Sequence, residues 1–220
     1  MRLTRFARHV LLLILGMLWI LPLYLVLVNM VASPEEFRTK SVYAPPSNFS
    51  LWSNITAAWN AASLGATIGS TLLYAVVGGV LAVFLASLAA FALVNLNVKY
   101  GFAWFMLLYA GTIFPFQMYL SPLYSLYVSA HLYNTHFGLL ILYTAVAIPF
   151  AVFVIRNHFT SIPHDISEAA RLDGAGPFRV YAQLFVPLSL NAFATVFILQ
   201  FTWIWNDLLF GLTLSRSASV

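Results

Sequence analysis

Two short stretches carry the side chains best placed to do chemistry. In SIPHDISEAARLDGAGPF (161–178), Asp165 and Glu168 have capping-box spacing, with an acid as N-cap and Glu three residues on. Ala169, Ala170, Arg171 and Leu172 favour helix, and Gly174 suits the left-handed residue that closes one. Gly176-Pro177 then opens a second helix, because proline is tolerated in a first turn. The stretch predicts helix, sharp turn, helix. Its chemistry is recognition: the alanines allow close approach, and Glu168 and Arg171 flank them as charged contacts. A soluble partner could dock on that face, or the helix could lie as an amphipathic segment at a membrane surface.

The second stretch is FTWIWNDLLF (201–210), with Trp203, Trp205, Asn206 and Asp207. An acid there is costly in lipid, up to ~2.5–3.5 kcal/mol at a helix centre, so Asp207 should face protein or a water-filled cavity. Indole rings and an amide can stack on and hydrogen-bond a solute in such a cavity. The same tryptophans also fit an interfacial aromatic belt, with Asp207 packed on a neighbouring helix. Gln117, beside Phe114 and Pro115, is a further candidate for a solute path. His131 and His136 are expected at a membrane surface.

Other chemistries find no support. There is no cysteine, so disulfides, zinc-thiolate sites and iron–sulfur clusters are excluded. The five histidines are scattered without metal-ligand spacing, and no nucleophile–base pair stands out, so neither a catalytic nor a metal site is expected. Lys40 and Lys99 are the only lysines, and neither belongs to a G-x-x-x-x-G-K-[ST] loop. The chain therefore has no P-loop for ATP. Its basic residues flank apolar segments rather than forming a patch, which argues against nucleic acid.

The elements that must position these residues are membrane helices. Of 220 residues 62% are hydrophobic and 7% charged, against about 25% charged in soluble domains. Mean hydropathy is +0.90. No Asp, Glu, Lys or Arg occurs at 41–98, 100–155 or 180–206, and each gap can hold a span of ~20 residues. The fold class is an all-α polytopic membrane protein with five spans.

A basic start (1–9) precedes a first span at 10–31, too long for a signal h-region and with Pro22 placed to bend it. A polar extracytoplasmic loop follows at 32–67. The core, 68–214, holds spans at about 68–94, 102–120, 137–155 and 183–212, with a loop at 121–136 and a charged loop at 156–182. In the second span Gly78, Ala82, Ala86 and Ala90 recur every four residues, a small-residue groove read as helix packing ahead of a pathway role. Arg2, Arg5, Arg8, Lys99, Arg156, Arg171 and Arg179 fall on one side against Arg38, Lys40 and Arg216 on the other. That bias puts the N-terminus and the 156–182 loop in the cytoplasm.

Glu168-Ala169-Ala170, Asp173-Gly174-Ala175 and Leu184-Phe185-Val186-Pro187-Leu188 together resemble the EAA loop of binding-protein-dependent ABC importer permeases. The resemblance is greatest to the carbohydrate group, typified by the maltose-system permease of the G type. FPFQMYLSPLYSLY (114–127), NTHFGLLILYTAVAIPFAVFVIRNHFTSIP (134–163) and FTWIWNDLLFGLTL (201–214) follow in the expected order. The resemblance is dense over about 112–214.

It implies that the EAA loop docks on cytoplasmic ATPase subunits, a dimer, with Glu168, Ala169, Ala170 and Gly174 as core and Arg171 and Asp173 adjoining. It also implies a second, non-identical permease subunit, an extracytoplasmic solute-binding protein and a place in the bacterial inner membrane. ATP and Mg would sit on the ATPase and no cofactor on this chain. The solute would be a sugar or oligosaccharide, with a polyol, glycerol phosphate or peptide as alternatives. A secondary transporter would need buried titratable groups at mid-membrane, which the spans lack. The family pattern has six spans, so a C-terminal helix is expected to be missing after 215–220.

Overall fold

The computed structural model describes residues 2–96, 98–217 and 220, with the backbone alone for 2–4. Every regular element among them is helical. The chain divides into two compact units at Leu64/Gly65.

The first unit is built on α1 (Arg2–Val31), which continues through Pro22. Its stretch Arg5–Val31 is long and apolar enough to cross a membrane, and its most apolar part is unburied by protein. Trp19, 81% exposed, illustrates a helix whose solvent is lipid. A helix leaves its last carbonyls without partners. Here Asn54 Nδ2 donates to Met30 O (3.0 Å) and Ala32 O (2.7 Å), and Ser50 N to Val31 O (2.9 Å).

The segment expected as a polar loop carries α2 (Pro34–Thr39) and α3 (Leu51–Ala61). Ser33 and Glu36 form a capping box on α2, with Pro34 in the first turn. Glu36 also accepts Lys40 Nζ at 2.7 Å, and that bond, aided by Ser47 N at 3.0 Å, holds its carboxyl down at about 2.

The second unit is organised around one long helix, Leu64–Asn95. It comprises α4 (Leu64–Leu73), a π-helical turn at Tyr74–Gly78 and α5 (Gly79–Asn95). The predicted small-residue stripe is a packing seam: Ala82, Ala86 and Ala90 are wholly buried, as is Ala151 on α8 (His136–Thr160). A Cβ added at Gly78 would rest 3.6 Å from Tyr143 Cβ, so the backbones are close but not in collision. Tyr74 meets His136 and Tyr143 near the start of α8, and Phe91 shares a core with Phe159 near its end. The two helices therefore run in the same direction.

Several expected boundaries move. The third span, expected at 102–120, is α6 (Gly101–Ala110), only ten residues. Thr112 Oγ1 turns back to Tyr109 O (2.7 Å), and Pro115 lacks the N–H and the conformational freedom to extend the helix. A 3-10 turn (Phe116–Met118) occupies the end of that expected span, and α7 (Leu120–Ser129) occupies most of what reads as loop in the sequence.

The fifth helix, expected from about 183 to 212 with Pro187 placed to bend or fix it, starts earlier and bends. Its limbs Pro177–Leu188 and Leu190–Trp205 meet at 74°. Pro187, in the one-turn α11 (Val186–Leu188), offers no N–H four residues ahead of Gln183, and the chain widens into a π-helical turn (Tyr181–Phe185) before it and breaks at Ser189 after it. The second limb, α12 (Leu190–Trp205), is followed by the short α13 (Leu209–Leu214). Among the described residues three helices are long and apolar enough to span, or four counting the bent pair, where five were expected.

Candidate functional site

The charged stretch forms α9 (His164–Leu172), a turn, and α10 (Pro177–Val180). The start of α9 differs from expectation. Its N-cap is Pro163, whose ψ of 131° sets the chain extended, and Asp165 lies inside the first turn without capping. An acid there still meets the positive end of the helix dipole. The exit is as predicted: Gly174 has φ +82°, Ala175 N bonds Ala170 O at 2.9 Å and Gly174 N bonds Arg171 O at 3.0 Å. This pair of bonds closes the helix around a left-handed residue. An added Cβ at Gly174 would meet nothing within 4 Å, so glycine is required by backbone conformation alone.

The turn sorts the side chains. Ser167 is buried with its hydroxyl on His164 O (2.9 Å), and Ala170 and Ala175 pack against the core around Phe159, Val180 and Phe185. Glu168, Ala169 and Asp173 are exposed, and so are two large apolar groups, Leu172 at 90% and Phe178 at 77%. Arg171 turns back: its Nη2 donates to Asn95 O at 2.5 Å and to Asn95 Oδ1. The surface left outward therefore mixes acids, apolar groups and the exposed Arg179, suited to binding another protein rather than to catalysis. Sequence reasoning missed Asn95 because its partner lies 76 positions away.

The second candidate group divides. Trp203 is half-buried against Phe116 (5.6 Å between ring centres) and Tyr143 (6.3 Å), and it lines a 260 Å³ cavity with Thr112, Phe116 and Gln200. Trp205 stacks on Phe201 and is 40% exposed, while Asn206 bonds Thr202 O and Gln117 is exposed on the 3-10 turn. Asp207 accepts Tyr143 Oη at 2.9 Å, Phe210 N at 3.0 Å and Gly211 N at 3.3 Å. These bonds converge on Oδ2 and hold the start of α13, and the residue also lines a 390 Å³ cavity with Thr67, Ser70, Tyr74 and Tyr143. His136, expected at a membrane surface, shares a hydrogen bond with Tyr74 Oη (2.7 Å). Gln200, 5% exposed and bonded to Ala147 O at 3.1 Å, was missed, although an amide inside an apolar helix is itself a signal. No group of His, Cys, Asp and Glu able to hold a metal occurs among the described residues.

Against known proteins, residues 78–218 match the family described as binding-protein-dependent transport system inner membrane component. A probable ABC transporter permease of Pyrococcus horikoshii is 34% identical over 90% of this chain and 72% of its own length. The diacetylchitobiose uptake permease NgcG of Streptomyces coelicolor is 30% identical, over 96% of this chain and 70% of that protein. The melibiose/raffinose/stachyose import permease MelC of Bacillus subtilis is 31% identical, over 87% and 69%. The crystal structure of a bacterial ABC transporter involved in import of the acidic polysaccharide alginate superposes with a TM-score of 0.80 over 99% of this chain and 76% of that one, at 22% identity.

Proposed function

Because this chain belongs to the family of binding-protein-dependent transport system inner membrane components, we propose that it is the permease subunit of an ATP-driven importer for a sugar or oligosaccharide. The observation that carries this is the α9–Gly174–α10 corner, which presents Glu168, Ala169, Leu172 and Phe178 outward while Ala170 and Ala175 anchor it to the core. Such a corner can receive motion from a soluble subunit and pass it to packed helices. The chain has no P-loop, so the energy comes from cytoplasmic ATPase subunits, whose ATP and Mg it does not bind. The N-terminus and the α9 side face the cytoplasm, in line with the placement of seven of the ten basic residues.

A second permease subunit completes the translocation path, and an extracytoplasmic binding protein delivers the solute. A sugar is favoured by relatives named for chitobiose and melibiose import, and by the aromatic and amide lining of the Trp203–Gln200 cavity. Uptake into vesicles carrying the full complex, scanned over oligosaccharides, polyols, glycerol phosphate and peptides, tests the solute class. Uptake of a non-sugar alone would overturn it. Glu168→Lys should abolish uptake while the protein stays in the membrane; unchanged uptake with unchanged ATPase association would end the docking role.

A further inference from the structure

We propose that Arg171 is a positioning residue that fastens α9 to the carboxyl end of α5, so that movement of the docked corner drives α5 directly. The proposal rests on the reading of α9 as the docking helix. Within the EAARLDG stretch Arg171 departs from its neighbours: Glu168, Ala169 and Leu172 face outward, whereas its guanidinium reaches back across 76 positions to Asn95. Asn95 is the last residue of α5 and is 6% exposed. Both of its oxygens accept from Arg171, while its Nδ2 finds no hydrogen-bond partner among the described residues. A buried amide with an idle donor is a poor packing choice. It is explained if the residue serves to present two acceptors to a cation at the negative end of a helix dipole.

The placement matters because the covalent route from α9 to α12 is soft. It passes the left-handed turn at Gly174 and the 74° break at Ser189. The route through Arg171 contains neither. It enters a helix continuous from Asn95 back to Leu64, whose buried alanines lock it along α8. A push on α9 thus reaches the α5–α8 pair in one step, whatever the bend at Ser189 absorbs.

The chain has no cysteine, so two introduced spin labels are the only ones it carries, and the partner subunits are used in cysteine-free form. His164→Cys and Leu96→Cys place them on exposed sites of α9, outside the residues assigned to docking, and at the end of α5. They are measured in the complex purified through a tag on this chain, before and after trapping with ATP and vanadate. With Arg171 present the label distance should be narrow and unmoved by trapping. With Arg171→Gln it should broaden and shift on trapping, ATPase co-purification should stay intact, and solute-stimulated ATP hydrolysis should fall about tenfold, as for loss of a coupling free energy between sites. Asn95→Asp, which offers the guanidinium two equivalent acceptors in the same shape, should keep the distance narrow and also guards against a variant that fails to fold. A distance still insensitive to trapping in Arg171→Gln overturns the proposal, as does loss of ATPase co-purification in that variant, which would make Arg171 a docking contact. If the unsubstituted chain recovers no ATPase, the docking reading itself fails, and with it the fastener.

Discussion

The two ends of the second unit treat their polar groups in opposite ways. At the Tyr74–His136 end they bond one another. Asp207 takes Tyr143 and two backbone N–H groups, and Asn134 Oδ1 receives Arg216 N, Ser217 N and the Ser217 hydroxyl. At the Asn95 end Glu168 and Asp173 face outward beside Leu172 and Phe178, and the one long cation of α9 is used internally. A closed network holds helix ends in register; an open, partly apolar one awaits a surface. The contrast shows that polarity near a helix end in a membrane protein is not by itself a sign of a site. What matters is whether its hydrogen bonds are already made.

Two glycines sharpen the comparison. Gly138, at the closed end, begins α8 so tightly that a Cβ would overlap the Leu132 carbonyl oxygen. Gly138→Ala should therefore give the largest loss, with little protein recovered in the membrane and a lowered unfolding temperature; normal recovery would show that the closed end has slack. Next, Asp207→Ala leaves Tyr143 Oη and the amide of Phe210 without their acceptor and should cost about 1–3 kcal/mol in thermal unfolding. ATPase association should be unchanged, and its loss would mean that the two ends are not independent. The smallest effect on stability belongs to Gly174→Ala at the open end. Only left-handed strain of about 1–2 kcal/mol is introduced there, since nothing lies near the added carbon. Its unfolding temperature should fall by only about 2–8 °C while uptake is largely lost, because the corner changes angle; that thermal loss with uptake retained would dissolve the distinction between a holding end and a receiving one.

How much was legible follows from how local each cause is. Gly174 could be assigned from sequence because a left-handed closure is a property of one residue and its neighbours. The alanine stripe of α5 was legible for the same reason, a four-residue repeat on one face. Asp165 misled because its spacing to Glu168 mimics a capping box, while Pro163 two residues earlier starts the helix first. The short α6 was over-extended because hydropathy continues past Ala110, whereas the backbone is stopped by Thr112 and Pro115. For Asp207 the sequence calls for protein or a water-filled cavity around it, and the choice between cap, partner helix and solute path depended on Tyr143, 64 positions away.

The sequence by itself determined that this is a helical membrane protein with a helix–turn–helix corner between apolar segments. Charge depletion, small-residue period and a glycine that must turn left-handed are all written along the chain. Only the tertiary structure decided which polar groups are spent and which are offered: Arg171 on Asn95, Asp207 on Tyr143 and α13, Tyr74 on His136. Hydrogen bonds between residues dozens of positions apart depend on how helices pack in space, and packing leaves no local period from which such pairs could be read.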